Sequence, residues 1–219
     1  MYDRDCKAIE RLFDYNGRNT IAIVEFVLST IQMPISRAVL DAEAIRRDGS
    51  NASCWFGSKA NGSRWIRTNW KTLSRKLKKI KREIRKNQEE APFCPALEKD
   101  LLVGAIVEVM QCDGLGIAKS AFVLQLCGFN MACLDSHNLA KLGLDEAYFR
   151  VNKKAVSERK LFEKIGEYVE IYQREGDARY WWNTWCNHVA GTKFNRILPT
   201  ADKVSKTHLD SIRIIAKGI

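Results

Sequence analysis

Two short phrases hold the residue types and spacing that can do chemistry. Asp113-Gly114-Leu115-Gly116-Ile117-Ala118-Lys119 sets a Gly-x-Gly turn between two apolar stretches, with Val103, Ile106, Val107 and Met110 before it and Phe122, Val123 and Leu126 after it. This pattern reads as a helix–hairpin–helix. Its glycines, Gly114 and Gly116, let the backbone turn tightly and come close to a partner. The amides of Ile117, Ala118 and Lys119, opening the second helix, then point outward and can hold a phosphate oxygen. The second phrase is Leu134-Asp135-Ser136-His137-Asn138. Asp135 opens another helix, where a carboxylate either caps the first amides or acts as an acid–base group. A lone Gly-x-Gly occurs in many helix turns, so the order and spacing of the pair carry the argument.

Together the phrases resemble the helix–hairpin–helix DNA glycosylase superfamily, the endonuclease III-like and 8-oxoguanine glycosylase-like enzymes, over residues 96–145. The resemblance implies an all-α, two-part helical bundle with a DNA cleft between its parts. It implies an enzyme that binds duplex DNA, flips a modified base and cleaves its N-glycosidic bond. It assigns Asp135 to the family's carboxylate at the mouth of the base pocket. Cleavage builds positive charge on the sugar, which a nearby carboxylate stabilises while it activates a water or an amine. His137 matches the family's Asp-Thr-His pattern and is expected to support the local structure. Three departures bear on mechanism. Asp113 stands where the family often has proline. The Schiff-base lysine of bifunctional members falls, counted without a gap, on Ala118, with Lys119 one residue later. One residue rotates a helix by about 100°, so only one of them can face a pocket. The loop 128–133 is slightly short, and a one-residue shift puts Lys119 back in register. The expectation is a monofunctional glycosylase, with lyase chemistry through Lys119 as the alternative.

The positive charge is placed to serve such a partner. Arg64, Arg67, Lys71, Arg75, Lys76, Lys78, Lys79, Lys81, Arg82, Arg85 and Lys86 share their segment with one acid, Glu83, and the net of +10 equals the formal charge of the whole chain. In the same segment Ile66, Trp70, Leu73, Leu77, Ile80 and Ile84 recur at steps of three and four, the stripe of one amphipathic helix. Like charges four apart repel, and a helix that tolerates this suits a polyanion. Arg75, Lys78, Lys79 and Arg82 are the candidate backbone-binding cations, supplying affinity without sequence reading.

The elements that must position these groups are helical throughout. Four prolines in 219 residues and no sustained apolar–polar alternation favour helices. They are expected near 5–14, 19–32, 35–47, 63–88, 96–111, 145–150, 155–175, 178–190 and 200–217. Three parts follow: 1–62 packing with the C-terminal part, 63–145 holding the basic helix and hairpin, and 146–219 completing the fold. The loop 48–63, rich in Gly, Ser and Asn, carries Trp55 and Phe56, which either dock it or serve as a wedge or stacking platform for a displaced base. Trp181, Trp185 and His188 share a helical face suited to packing.

Seven cysteines, Cys6, Cys54, Cys94, Cys112, Cys127, Cys133 and Cys186, are scattered and never form a C-x-x-C pair. No zinc site, disulfide framework or iron–sulfur cluster is expected, and no other cofactor. The run 21–31 is too short to span a bilayer and contains Glu25, so it reads as a core helix. The N-terminus lacks a secretory pattern. A cytoplasmic or DNA-associated intracellular monomer, neither secreted nor membrane-bound, is expected. Two rival readings stand beside the enzyme. One is a non-catalytic, architectural DNA-binding protein that keeps the hairpin. The other is a helical protein whose basic helix meets an acidic protein partner.

Overall fold

The computed structural model describes residues 2–52, 57–90, 92, 94–153, 155–192, 197–198 and 200–219. Among them every regular element is helical: α1 (Tyr2–Tyr15), α2 (Asn19–Ser29), α3 (Ile35–Asp48), a 3-10 turn (Gly49–Asn51), α4 (Ser58–Glu89), α5 (Pro95–Met110), α6 (Ile117–Leu126), α7 (Ser136–Lys141), α8 (Glu158–Glu175), α9 (Ala178–Ala190) and α10 (Ala201–Ala216). The chain is all-α. Among the described residues no helix is long and apolar enough to cross a membrane.

Local chemistry sets most boundaries. Pro95 starts α5 at a position where its missing amide costs nothing. The side chains of Ser157, Asp177 and Thr200 accept the amides of Lys160, Tyr180 and Lys203, capping α8, α9 and α10. Gly176 ends α8.

Helix α4 is the spine. At 32 residues it runs for about 48 Å, packing on α2 and α5. Ile66, Leu73, Leu77 and Ile84 are buried along it. Its cations do not all face outward. Arg67 clasps the fully buried Glu25 of α2 through Nε at 2.7 Å and Nη2 at 3.1 Å, with Ser63 Oγ adding a third bond at 2.6 Å. Lys81 is buried, with Nζ 2.5 Å from Glu10 and 3.1 Å from the Cys127 carbonyl. Lys76 pairs with Glu108 of α5. Removing Arg67 would leave the buried Glu25 uncompensated, and removing Glu10 would strip the buried Lys81 of its nearest carboxylate, the expensive case. The exposed Lys76–Glu108 pair is worth far less.

Helix α10 packs on α3, α2, α1 and α9. The first and last helices therefore share one core, in which Phe13, Phe26, Trp181, Trp182 and Tyr168 are buried.

Several boundaries differ from the sequence expectation: α1 already starts at Tyr2 rather than near 5, and α2 ends at Ser29 rather than near 32. Residues 58–62 are helical rather than loop. The Gly and Ser there serve close packing: a Cβ on Gly62 would collide with the Asp113 carbonyl oxygen and press on Leu28. Residues 145–150 form turns rather than a helix, with Asp145 Oδ1 accepting the Ala147 amide and the Ala147 carbonyl accepting Arg150 N. Helix α8 starts at Glu158, not near 155.

Gly62→Ala should therefore destabilise the protein by about 1–3 kcal/mol through overpacking. Gly104→Ala, mid-α5 with nothing within 4 Å of an added Cβ, should stabilise it by about 0.5–1 kcal/mol. Urea midpoints of the two variants check this, and equal shifts would remove the close-packing account of Gly62.

Candidate functional site

The Gly-x-Gly segment forms the turn, the candidate hairpin, that joins α5 to α6. Gly114 has φ +83°, the left-handed region that a side chain disfavours. Gly116 is extended, with φ −93° and ψ −174°, and exposed. A Cβ there would meet nothing in the protein. Gly116 is followed by a buried Ile117 and by half-buried Ala118 and Lys119 at the start of α6. The hairpin is held from two sides. Cys112 Sγ donates to the Gly62 carbonyl of α4, and burial pushes this thiol up to about 12. Lys153, from the loop before α8, donates Nζ to the carbonyls of Met110 at 2.5 Å and Cys112 at 3.3 Å. Burial lowers the pKa of this ammonium, while Asp113 pulls it back up. Sequence reading missed Lys153, since a lone lysine in a loop gives no signal of which carbonyls it will find.

The segment from Cys127 to Asp135 leaves α6 and crosses the interior without helix. Met131, Ala132, Cys133 and Leu134 are all buried, so their backbone groups must find partners. Side chains of α8 supply several of them. Tyr168 Oη donates to the Ala132 carbonyl at 2.6 Å and accepts Leu134 N at 2.8 Å. Tyr172 Oη donates to the Asn130 carbonyl, and Asn138 Nδ2 to the Cys133 carbonyl at 2.7 Å. The two tyrosines fix the approach to Asp135.

Asp135 caps α7. Its Oδ1 accepts the amides of His137 at 3.2 Å and Asn138 at 3.1 Å. Its Oδ2 accepts Trp185 Nε1 of α9 at 2.5 Å. The carboxylate thus joins α7 to α9. Beside this bond, the exposed rings of His137 and His188 stack with centroids 4.0 Å apart. Partial burial and the neighbouring His137 hold the His188 pKa below its usual value, with Asp135 acting in the opposite sense. His188 is thus a solvent-facing ring and not the packed residue that the helical face suggested.

Lys119, Phe122 and Gln125 of α6, Cys133 of the crossing segment, and Trp181, Trp182 and Trp185 of α9 line one enclosed slot. Lys119 lines it and Ala118 does not. The Lys119 Nζ donates to Thr30 Oγ1 at 3.2 Å and lies 5.6 Å from the Phe122 ring. The free volume is about 10 Å³, room for one water molecule. Next to the slot stands His208 of α10, fully buried, with neither ring nitrogen hydrogen-bonded among the described residues. It is boxed by Phe26, Phe122, Trp182 and Trp185, with centroids 4.8, 5.7, 5.2 and 4.9 Å away. Sequence reading missed it as well, because a single His in an ordinary amphipathic helix looks like any surface polar residue.

The outward face of α4 carries Arg64, Lys71, Arg75, Lys79, Arg82 and Lys86, all exposed. Lys79 and Lys86 have loose intrahelical pairs with Glu83 and Glu90. Lys78 lies apart from this stripe: half-buried, it donates to the Asp14 carbonyl and sits over the Phe13 ring. Trp55 and Phe56, the candidate wedge, lie outside the described residues. Among the described residues no cluster of three or more His, Cys, Asp or Glu is placed to hold a metal ion.

No family model matches this chain, and neither a curated protein nor a solved structure matches it.

One consequence of the slot is measurable without any ligand. Burial, helped by Lys119, depresses the His208 pKa to about 3, against about 6.5 when unfolded. Below pH 6.5 the unfolded chain therefore binds a proton that the native state refuses. This contribution to stability is complete above pH 6.5 and falls away as the pH drops, by about 1.4 kcal/mol per unit. Denaturation between pH 7 and pH 5 should show this slope in the wild type and a flatter one in His208→Leu. A slope unchanged by the substitution would mean the imidazole takes up its proton inside the fold.

Proposed function

We propose that this chain is a helix–hairpin–helix DNA-binding protein of the base-excision type. It holds a duplex by its backbone, turns a nucleotide out and breaks the bond between base and sugar. One observation carries the reading: the start of the hairpin's second helix, the segment leading to Asp135, and the tryptophans of α9 meet at the same slot. A hairpin that only gripped phosphate would need no such meeting. The amides at the start of α6 offer an anion site, and the exposed stripe of α4, with Arg75, Lys79 and Arg82 at its centre, offers a second track for phosphates.

In this reading Asp135 stabilises the positive charge that develops on the sugar as the base leaves. The slot lining favours Lys119 over Ala118 as the group that meets the sugar. That reverses the order of the two mechanisms expected from sequence. The Lys119 amine attacks C1′ as the bond from C1′ to the base breaks and the base departs with the bonding electrons. Of the two protons that Nζ gives up, one goes to the leaving base and one to O4′ as the sugar ring opens, leaving a Schiff base on Nζ. Borohydride reduces that imine to a stable protein–DNA adduct.

Two observations favour the architectural reading. Both carboxylate oxygens of Asp135 are already engaged, and the slot is far smaller than a nucleobase. A protein of that kind would bind duplexes tightly and excise nothing.

The readings separate on a panel of duplexes carrying oxidised, alkylated, deaminated and hypermodified bases. The enzyme should form abasic sites on some of them. Asp135→Asn should lower that activity at least a hundredfold with duplex binding kept, and Lys119→Ala should abolish borohydride trapping. Binding without cleavage across the whole panel would hand the case to the architectural protein. In a separate measurement, Arg75→Gln, Lys79→Gln and Arg82→Gln together should reduce the slope of log affinity against log salt by about 3. An unaltered slope would place the phosphates on another face.

A further inference from the structure

The slot is too small for a base, yet four of its seven lining residues are aromatic. Trp185 stands among Phe122, Trp182 and His208, with ring centroids at 6.3, 6.3 and 4.9 Å. Trp181 and Trp182 are buried, whereas Trp185 is only partly so and has a path to solvent. A single hydrogen bond ties its indole, from Nε1 to Asp135 Oδ2 at 2.5 Å. Against its ring lies His208, wholly buried, with both nitrogens unpartnered. Buried polar atoms are almost always paired, so an orphaned imidazole beside a removable ring calls for an account.

We propose that Trp185 is a displaceable plug: its indole holds the place of a planar heteroaromatic guest, and the Asp135 carboxylate is the latch. That the guest is an extruded nucleobase rests on the base-excision reading; the plug itself does not. Displacement has three effects. It vacates a flat space beside Phe122 and Trp182 of about the shape of an indole, which a purine ring system matches. It presents the guest with His208, whose neutral imidazole offers one donor and one acceptor. It frees Oδ2 of Asp135 while Oδ1 stays on the amides of His137 and Asn138, so the carboxylate becomes available only once the guest is seated. The His137–His188 stack joins α7 to α9 beyond the latch and keeps the two helices docked as the indole leaves. The small free volume is then the property of the closed state.

The test uses the full chain and free adenine, followed by intrinsic tryptophan fluorescence. Trp185→Phe keeps a ring and removes the N–H. Asp135→Asn weakens the latch whichever way the amide turns: its NH₂ either faces the indole N–H, or faces the α7 amides and leaves the indole a neutral acceptor in place of a carboxylate. Each should bind adenine on the order of tenfold more tightly than the wild type, the worth of one hydrogen bond to a charged acceptor. Trp185→Ala should take up indole itself, read as a raised thermal midpoint. Adding His208→Leu to Trp185→Phe should cancel the gain for adenine. If Trp185→Ala does not fold, the two latch variants decide. Adenine affinities equal to the wild type's would overturn the plug. No DNA or turnover is needed, so the two readings fail separately. A chain that excises bases with no adenine gain in its latch variants loses the plug and keeps the enzyme. One that shows the gain but excises nothing does the reverse. Asp135→Asn is the sharpest case, since it should lose excision and gain adenine.

Discussion

A buried stretch of chain that is not helical must have its amides and carbonyls answered from elsewhere, and residues 131–134, with the exposed Asn130 leading into them, impose that demand on the whole C-terminal half. The answer comes chiefly from Tyr168 and Tyr172, two hydroxyls one turn apart on α8. Asn130 continues the chain of dependence, since its side chain accepts the Ala178 amide at the start of α9. Trp181 returns a bond to the Tyr172 carbonyl. The crossing segment, α8 and α9 therefore fix one another, and Asp135 stands where they converge. An unpaired backbone group in that interior costs about as much as any single core contact supplies. The tyrosines thus set the position of the candidate site as well as the stability of the fold.

On the other side of the molecule the same role falls to charge. Arg67 on Glu25 and Lys81 on Glu10 bind α4 to the N-terminal helices through buried ionic contacts. The basic helix is therefore divided between anchoring cations and presented ones. Counting charges in the sequence cannot separate the two sets, because the acids that engage Arg67, Lys76 and Lys81 lie on α2, α5 and α1, far away in sequence.

What the sequence made legible follows from period and punctuation. The stripe of Ile66, Leu73, Leu77 and Ile84 announced a long helix, and that helix is present with those residues buried. Gly-x-Gly and the Asp before Ser136 marked a turn and a cap, and both are there. The failures have physical causes. Residues 58–62 looked like loop because Gly and Ser also serve where two backbones nearly touch, and that need is tertiary. Residues 145–150 looked helical from composition alone, but Asp145 turned its side chain onto its own backbone. At the site, the pairing of Asp135 with Trp185 joins residues 50 apart, and His208 enters from the last helix. Neither has a local signal. The register of Lys119 was undecidable by counting, since it depends on where the extended Gly116 hands over to α6.

The contact at Gly62 has a mechanical side. The turn and the spine meet closely there, the Asp113 carbonyl lying where a Cβ on Gly62 would stand and the Cys112 thiol bonding the Gly62 carbonyl, which leaves little room for a change in distance. On the proposed reading, the two surfaces that grip the phosphates behave as marks on one ruler. A duplex whose natural spacing does not suit that ruler has to bend or twist to reach both. Sequences that deform easily would then be favoured at base pairs the protein never touches.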